Sequence, residues 1–221
     1  MPRAGAHKNS HAGRGRAGRD RARARAKSVI TETPPPPRSR ARSNRDGYFV
    51  LDVSGSMEGT RLARVKKTVT DIVPTLPPTS RMAIVTFDTG AFFKLKPRPV
   101  EQILRQGELP RILGKIYARG GTALWDAIHL VVSQIRDDTK ETRIVVLTDG
   151  EDNSSTHTQA EVDALVAAKP NVMVDIIHIG DAPIAAYRDV SMATGGDYTL
   201  IKEADIENVL TVTFKLRMTA A

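Results

Sequence analysis

Four short runs dominated by apolar, mostly branched residues mark the chain after residue 47. They cover residues 48–51, 82–87, 144–147 and 172–179, and an aspartate follows each run within two residues. Runs of this length and composition are typical of parallel strands that are buried on both faces of a sheet. The pattern therefore predicts four buried strands whose carboxyl ends carry acidic residues.

Between these runs, apolar residues recur at the spacing of one helix face. This spacing predicts helices over residues 62–72, 124–135, 161–168, 184–192 and 206–214. Pro74 and Pro170 follow two of these segments and Gly195 follows a third, as expected for residues that stop or cap helices. Residues 92–95 form a short candidate strand at a sheet edge. The alternation predicts an α/β fold, an open sheet with helices on both faces.

Charge separates the first 46 residues from the rest of the chain. Residues 1–46 contain eleven Arg and two Lys against three acidic residues, whereas residues 47–221 contain 20 basic and 22 acidic residues. The overall charge of +8 is therefore a property of the amino-terminal segment. We predict a domain over 47–221 that has no charge-based tendency to bind nucleic acid.

The amino-terminal segment contains too few large apolar side chains to offset the entropy lost on ordering. We therefore predict that residues 1–46 are disordered, with the four prolines at 34–37 forming a stiff spacer. Three roles remain open: a tail without a dedicated role, an arm for nuclear localisation or sequence-blind nucleic-acid binding, and an organellar transit peptide.

Cysteine is absent, which fits a reducing compartment, and no apolar run approaches the ~20 residues that cross a bilayer. The amino terminus also lacks the apolar segment of a secretory signal. We therefore expect no membrane span and an intracellular location, in the cytoplasm or the nucleus.

Oxygen-bearing side chains follow two of the predicted strands and precede one predicted helix. Asp52, Ser54 and Ser56 alternate after the first strand, so their side chains project to one side if the chain stays extended. Asp149 follows a second strand, and Thr122 precedes the helix that begins near residue 124. Ligands of open α/β sheets bind beyond the carboxyl ends of strands, which is where these groups are expected to meet.

Carboxylates and hydroxyls without a thiolate or imidazole form a donor set of hard oxygens. Such a set suits Mg²⁺, Mn²⁺ or Ca²⁺ and disfavours zinc or copper. Two carboxylates roughly neutralise a divalent ion. If they act through water while the hydroxyls bind directly, the ion keeps an electrophilic open side that an incoming carboxylate can fill.

Three segments resemble the metal-ion-dependent adhesion site of von Willebrand factor A domains. They are VLDVSGSM at 50–57, GGTALWDAI at 120–128 and VVLTDGED at 145–152, and the likeness extends over 47–221. The resemblance implies a Rossmann-like, mostly parallel sheet of order 3-2-1-4-5-6 with one antiparallel edge strand. It implies that Ser54, Ser56 and, in the binding-competent state, Thr122 coordinate Mg²⁺ directly, while Asp52 and Asp149 hold metal-bound waters. It also implies a protein partner that supplies an Asp or Glu carboxylate.

Two other interpretations of these residues stay open at the level of sequence. Asp52 could cap a turn, and Ser54 or Ser56 could cap the helix expected near residue 58. A Mg²⁺-dependent phosphohydrolase would use Asp52 as a nucleophile, but it needs a second Asp at position 54 and a phosphate-binding Lys for which there is no candidate. A serine hydrolase fails because the G-x-S-x-G pattern is missing. We therefore predict a non-enzymatic module.

Several other polar and aromatic residues are expected to have structural or solvent-exposed roles. We expect solvated loop acids at Asp88, Glu151 and Asp152, packing at Trp125, and histidines without metal spacing at His129, His157 and His178.

Overall fold

A computed structural model describes residues 45–137 and 139–219 of the 221-residue chain. Its centre is a six-stranded sheet of order β3-β2-β1-β4-β5-β6. The strands are β1 Asp46–Asp52, β2 Arg81–Phe87, β3 Ala91–Pro99, β4 Thr142–Thr148, β5 Val172–Ile179 and β6 Tyr198–Ile201. All neighbouring strands are parallel except β2 and β3, which are antiparallel. The expected strand order and antiparallel edge are confirmed.

Helices connect the strands and cover both faces of the sheet. They are α1 Thr60–Ile72, α2 Val100–Gln106, α3 Leu109–Gly114, α4 Leu124–Gln134, α5 Gln159–Ala167, α6 Ala185–Ala193 and α7 Ile206–Thr219. Each helix predicted from the apolar spacing is present within a few residues of its expected bounds. The short α2 and α3 were not predicted, because six or seven residues carry too little periodicity.

Two apolar cores lie on opposite faces of the sheet because successive side chains of a strand point to opposite sides. On one face, Phe49 and Leu51 pack with residues of α1 and α7. On the other, Tyr48 and Val50 pack with residues of α4, α5 and α6. All seven residues of β1 are buried, as expected for the central strand of such a sheet.

Close contact between β1 and α7 depends on a residue without a side chain. A Cβ atom at Gly47 would lie 2.5 Å from Met218 Sδ and 3.1 Å from Phe214 Cζ, so the side chains of α7 occupy the space that a larger residue would need. Beside it, the Phe49 and Phe214 rings stack with centroids 3.5 Å apart. The glycine therefore allows α7 to lie directly on the central strand.

The amino-terminal prediction falls almost wholly on residues 1–44, which lie outside the described residues. The first strand begins at Asp46, one residue before the expected start of the domain. Within the described residues, no helix is long and apolar enough to cross a membrane.

Candidate metal centre at the carboxyl edge of the sheet

The central parallel strands bring the candidate ligands to one edge of the sheet. Asp52 is the last residue of β1, and Asp149 directly follows β4, the strand paired with β1. Because parallel strands end at the same edge, these two carboxylates come together although they are far apart in the sequence. The loop before α4 brings Thr122 to the same edge.

Asp52 is completely buried and held by two hydrogen bonds. Its Oδ1 accepts a bond of 2.7 Å from the Ser54 amide, and its Oδ2 accepts one of 2.6 Å from the Thr148 hydroxyl. Burial raises the pKa of Asp52, the bonds from Thr148 and Ser54 oppose this shift, and the nearby Asp149 carboxylate adds to it. A cation at this centre would favour the ionised form of both carboxylates.

A chain of hydrogen bonds joins the two serine hydroxyls to the second carboxylate. Ser54 Oγ lies 3.1 Å from Ser56 Oγ, and Ser56 Oγ donates to Asp149 Oδ1 over 2.7 Å. The Asp149 side chain is fully buried, whereas Ser56 is exposed to solvent. Ser56 is therefore the member of this chain that faces solvent, while Ser54 and Asp149 are buried.

Of the alternative structural roles considered for this loop, a turn cap at Asp52 and a helix cap at Ser54 or Ser56, the structure shows only the first. The bond from the Ser54 amide to Asp52 is such a turn contact. Neither serine caps a helix, because Ser54 makes no side-chain cap bond at the 3-10 turn Gly55–Met57 and α1 starts later with Gly59 at its N-cap. Neither serine hydroxyl therefore caps a helix.

Thr122 is held against the loop that follows β4. Its amide donates to Asn153 Oδ1 over 2.9 Å, and its carbonyl accepts bonds of 2.9 and 3.1 Å from the Asn153 and Ser154 amides. A Cβ built on Gly150 would lie 3.7 Å from Thr122 Oγ1. The hydroxyl of Thr122 therefore lies beside the residue that follows Asp149.

The two glycines before Thr122 have separate functions in this arrangement. Gly120 has a φ of +70°, a conformation that other residues rarely adopt. Gly121 allows a close approach, since a Cβ there would lie 2.2 Å from Ser154 Oγ and 2.7 Å from Asn153 Oδ1. The carbonyl of Gly120 accepts a bond of 3.1 Å from the Gly55 amide, which joins this loop to the one after β1.

Arg61 occupies part of this centre, and its position there was not predicted from the sequence. Its Nη1 pairs closely with Asp149 Oδ2 and donates to the Ser56 carbonyl over 3.3 Å, while its Nε lies 3.0 Å from Glu203 Oε2. Glu203 lies just before α7. A basic residue in the first turn of the helix after Asp52 was the available signal, and only the fold places it against Asp149.

Two of the three acids expected to be solvated have structural partners instead. Asp88 is buried and lies 3.0 Å from Arg119 Nε. Asp152 accepts bonds of 2.7 and 3.3 Å from the amides of Leu124 and Trp125, and so caps α4 from another loop. That prediction was wrong for both residues, because partners distant in sequence bind these acids. Glu151 is exposed, as expected.

The aromatic residues near the centre have packing roles. Trp125 is buried and meets Tyr187 edge-on, with centroids 5.4 Å apart. His129 and His157 stack with centroids 3.7 Å apart, a contact that their sequence separation does not predict, and His178 is buried in β5. Among residues 45–137 and 139–219, no three His, Asp or Glu side chains are grouped to hold a metal ion. A metal at this centre would therefore depend on hydroxyl ligands as well as carboxylates.

The sequence profile of the von Willebrand factor type A domain matches residues 48–151, which include all five candidate ligands. The same family is found among solved structures with this fold. Residues 48–151 therefore belong to a von Willebrand factor type A domain. A von Willebrand factor type A protein from Catenulispora acidiphila superposes with a TM-score of 0.69 at 21% identity, covering 80% of this chain and 43% of that one.

A second similar structure is proximal thread matrix protein 1 from the mussel byssus, with a zinc-occupied MIDAS motif. Its TM-score is 0.63 at 19% identity, covering 79% of this chain and 46% of that one. At these identities the two structures establish the shared fold alone. Among curated proteins, calcium-activated chloride channel regulator 1 of Equus caballus is 29% identical over 165 residues, which is 73% of this chain and 17% of that protein. The chain thus spans about a sixth of this relative.

Proposed function

We propose that the domain binds a divalent cation, Mg²⁺ foremost with Mn²⁺ and Ca²⁺ as alternatives, and uses it to capture an acidic side chain of a protein partner. The chain of hydrogen bonds from Ser54 through Ser56 to Asp149 carries this proposal. It aligns two hydroxyls and a carboxylate, all hard oxygen donors, and its Ser56 member is exposed to solvent.

In this proposal Ser54, Ser56 and Thr122 bind the ion directly, and Asp52 and Asp149 hold it through water. The Thr148 hydroxyl and the Ser54 amide already occupy one position on each Asp52 oxygen, which supports an indirect role for this buried carboxylate. Two acids balance the charge of a divalent ion without saturating its coordination shell. A partner carboxylate then completes the shell, which makes binding metal-dependent.

An interaction module accounts for these residues better than an enzyme does. A phosphohydrolase of the aspartate-nucleophile type would place a second acid at position 54, where this chain has Ser54. The mussel byssus protein, whose MIDAS motif is occupied by zinc, also supports a metal at the equivalent place in this fold.

The proposal is tested by isothermal titration calorimetry of Mg²⁺, Mn²⁺ and Ca²⁺ into the full-length protein. We expect saturable binding that Ser54→Ala or Thr122→Ala weakens by at least about tenfold, with an unchanged circular-dichroism melt. Ser133→Ala is the matched control, because it removes a hydroxyl on the surface of α4 that bonds to the Leu130 carbonyl. Equal affinities of Ser54→Ala and the wild type would refute the proposed ligands.

A further inference from the structure

A basic and aromatic segment is attached directly to the loop of the candidate metal centre. The Arg119 amide donates to the Val53 carbonyl over 2.7 Å, and the Gly55 amide donates to the Gly120 carbonyl over 3.1 Å. The segment that ends at Arg119 therefore lies alongside the loop that contains Ser54. A ligand bound at the metal centre would therefore lie close to this segment.

The surface here combines an exposed aromatic ring with several cations. Tyr117 is 69% exposed, the largest exposed fraction among the large hydrophobic residues described. Lys94, Lys115 and Arg119 line a cavity of about 100 Å³ together with Tyr117 and Val53. We call Lys94, Lys115, Tyr117 and Arg119 the basic patch.

Tyr117 also borders a second cavity, of about 300 Å³. Leu62, Lys66 and Glu58 are among the residues that line it, and Lys66 Nζ lies 5.4 Å from the centre of the Tyr117 ring. Tyr117 thus lines both cavities, and the Lys66 ammonium lies over its ring.

Only part of the charge of the basic patch is balanced, by Asp88, which lines the same cavity. Arg119 pairs with Asp88, but within the described residues neither Lys94 nor Lys115 forms an ion pair. The surrounding domain, residues 47–221, has two more acidic than basic residues, so these cations are a local feature. A surface of this kind attracts a ligand with negative charges at a few discrete positions.

We propose that the partner segment is an acidic peptide with several carboxylates, one at the metal and others on Lys94 and Lys115. This proposal rests on the proposed metal-dependent function and specifies its partner. A peptide is favoured over a nucleic acid because exposed Glu58 and Glu151, together with the net negative domain, would repel a long, uniformly charged backbone. The exposed Tyr117 ring gives an apolar peptide side chain a contact beside these cations.

The test uses two fluorescein-labelled Gly/Ser peptides, one with four glutamates and one with a single glutamate and three glutamines. Fluorescence anisotropy is measured with the 221-residue protein in Mg²⁺ and in EDTA. Binding that persists in EDTA is metal-independent and includes any binding to the basic amino-terminal segment, which is the same in all variants. We expect Lys94→Gln/Lys115→Gln to weaken Mg²⁺-dependent binding of the four-glutamate peptide about fivefold, and that of the single-glutamate peptide less than about twofold.

The matched control is Arg136→Gln/Lys140→Gln, which removes the same charge between α4 and β4, at the opposite edge of the sheet. It should leave both affinities unchanged. Equal weakening by the two double variants, or equal affinity of the two peptides for the wild type, would overturn the inference. A higher affinity of the basic patch for single-stranded RNA than for the acidic peptide would also overturn the inference. If calorimetry detects no Mg²⁺ binding at all, the proposed function fails instead, which separates the two results.

Discussion

At the scale of single residues, the loop before α4 shows how sterics define the candidate centre. Gly120 supplies a positive φ, and Gly121 supplies space for Asn153 and Ser154. Both residues belong to the loop after β4, and the Asn153 side chain and the amides of Asn153 and Ser154 bond to the backbone of Thr122. These bonds hold Thr122 beside Gly150, the residue that follows Asp149. The pair of glycines therefore positions a hydroxyl without contributing any ligand atom.

We predict that Gly121→Ala weakens metal binding at least about tenfold, because the added methyl group displaces Asn153 and Ser154 and with them Thr122. Calorimetry of Mg²⁺ binding measures the effect. The matched control is Gly114→Ala at the end of α3, where an added Cβ would meet nothing within 4 Å. Unchanged affinity in Gly121→Ala would mean that Thr122 is not held in place by this contact.

Individual residues also show where prediction from sequence stops. Asp52, Ser54 and Ser56 lie close in sequence at the end of a recognisable strand, so their convergence is a local property. The chain does not stay extended there, however, because Gly55–Met57 forms a 3-10 turn. The bonds of Asp88 to Arg119 and of Asp152 to the start of α4 are not local, and both acids were expected to be solvated. Such contacts depend on how loops from different strands meet at the sheet edge, which apolar patterning does not encode.

At the scale of elements, the four central strands and the long helices were predictable because each buries an apolar face, whereas the edge strand β6 is mostly half-buried or exposed. The short α2 and α3 lack such a face. The position of α1 relative to β4 was not predictable either, since no local pattern relates Arg61 to Asp149. That packing places the Arg61 guanidinium against a candidate ligand and connects it to Glu203, just before α7.

We predict that Arg61→Gln raises the affinity for Mg²⁺ by about three- to tenfold, because the guanidinium competes with the ion for the Asp149 carboxylate. Calorimetry at a fixed ionic strength measures this change. Arg64→Gln provides the control on the same helix, since its contact with Glu207 is long, at 3.8 Å, and remote from the ligands. A loss of affinity in Arg61→Gln would show instead that this arginine positions Asp149 for binding.

At the scale of the whole molecule, an ion pair and a hydrogen bond join β5, α7 and the start of β1. Asp175 is 1% exposed in β5, and Arg217 Nη2 of α7 lies 2.9 Å from its Oδ1. Arg45, which precedes β1, donates to the Arg217 carbonyl over 3.0 Å. The fold therefore separates a stabilising network at one edge from the candidate binding groups at the other.

We predict that Arg217→Met lowers the free energy of unfolding by about 3 kcal/mol, since methionine keeps the apolar stem but leaves the buried Asp175 carboxylate without its cation. Urea denaturation measures this loss. Arg188→Met is the control, because its pair with Asp189 is exposed and 4.0 Å long, and it should cost less than about 0.5 kcal/mol.

Adding Asp175→Asn to Arg217→Met should recover part of the lost stability, because the unpaired charge is then removed as well. Metal affinity should stay unchanged in both variants, since neither residue lies at the carboxyl edge. A parallel loss of Mg²⁺ binding would mean that α7 transmits changes from one edge of the sheet to the other, through Glu203 and Arg61. The combined denaturation and calorimetry therefore determine whether stability and binding are independent properties of this domain.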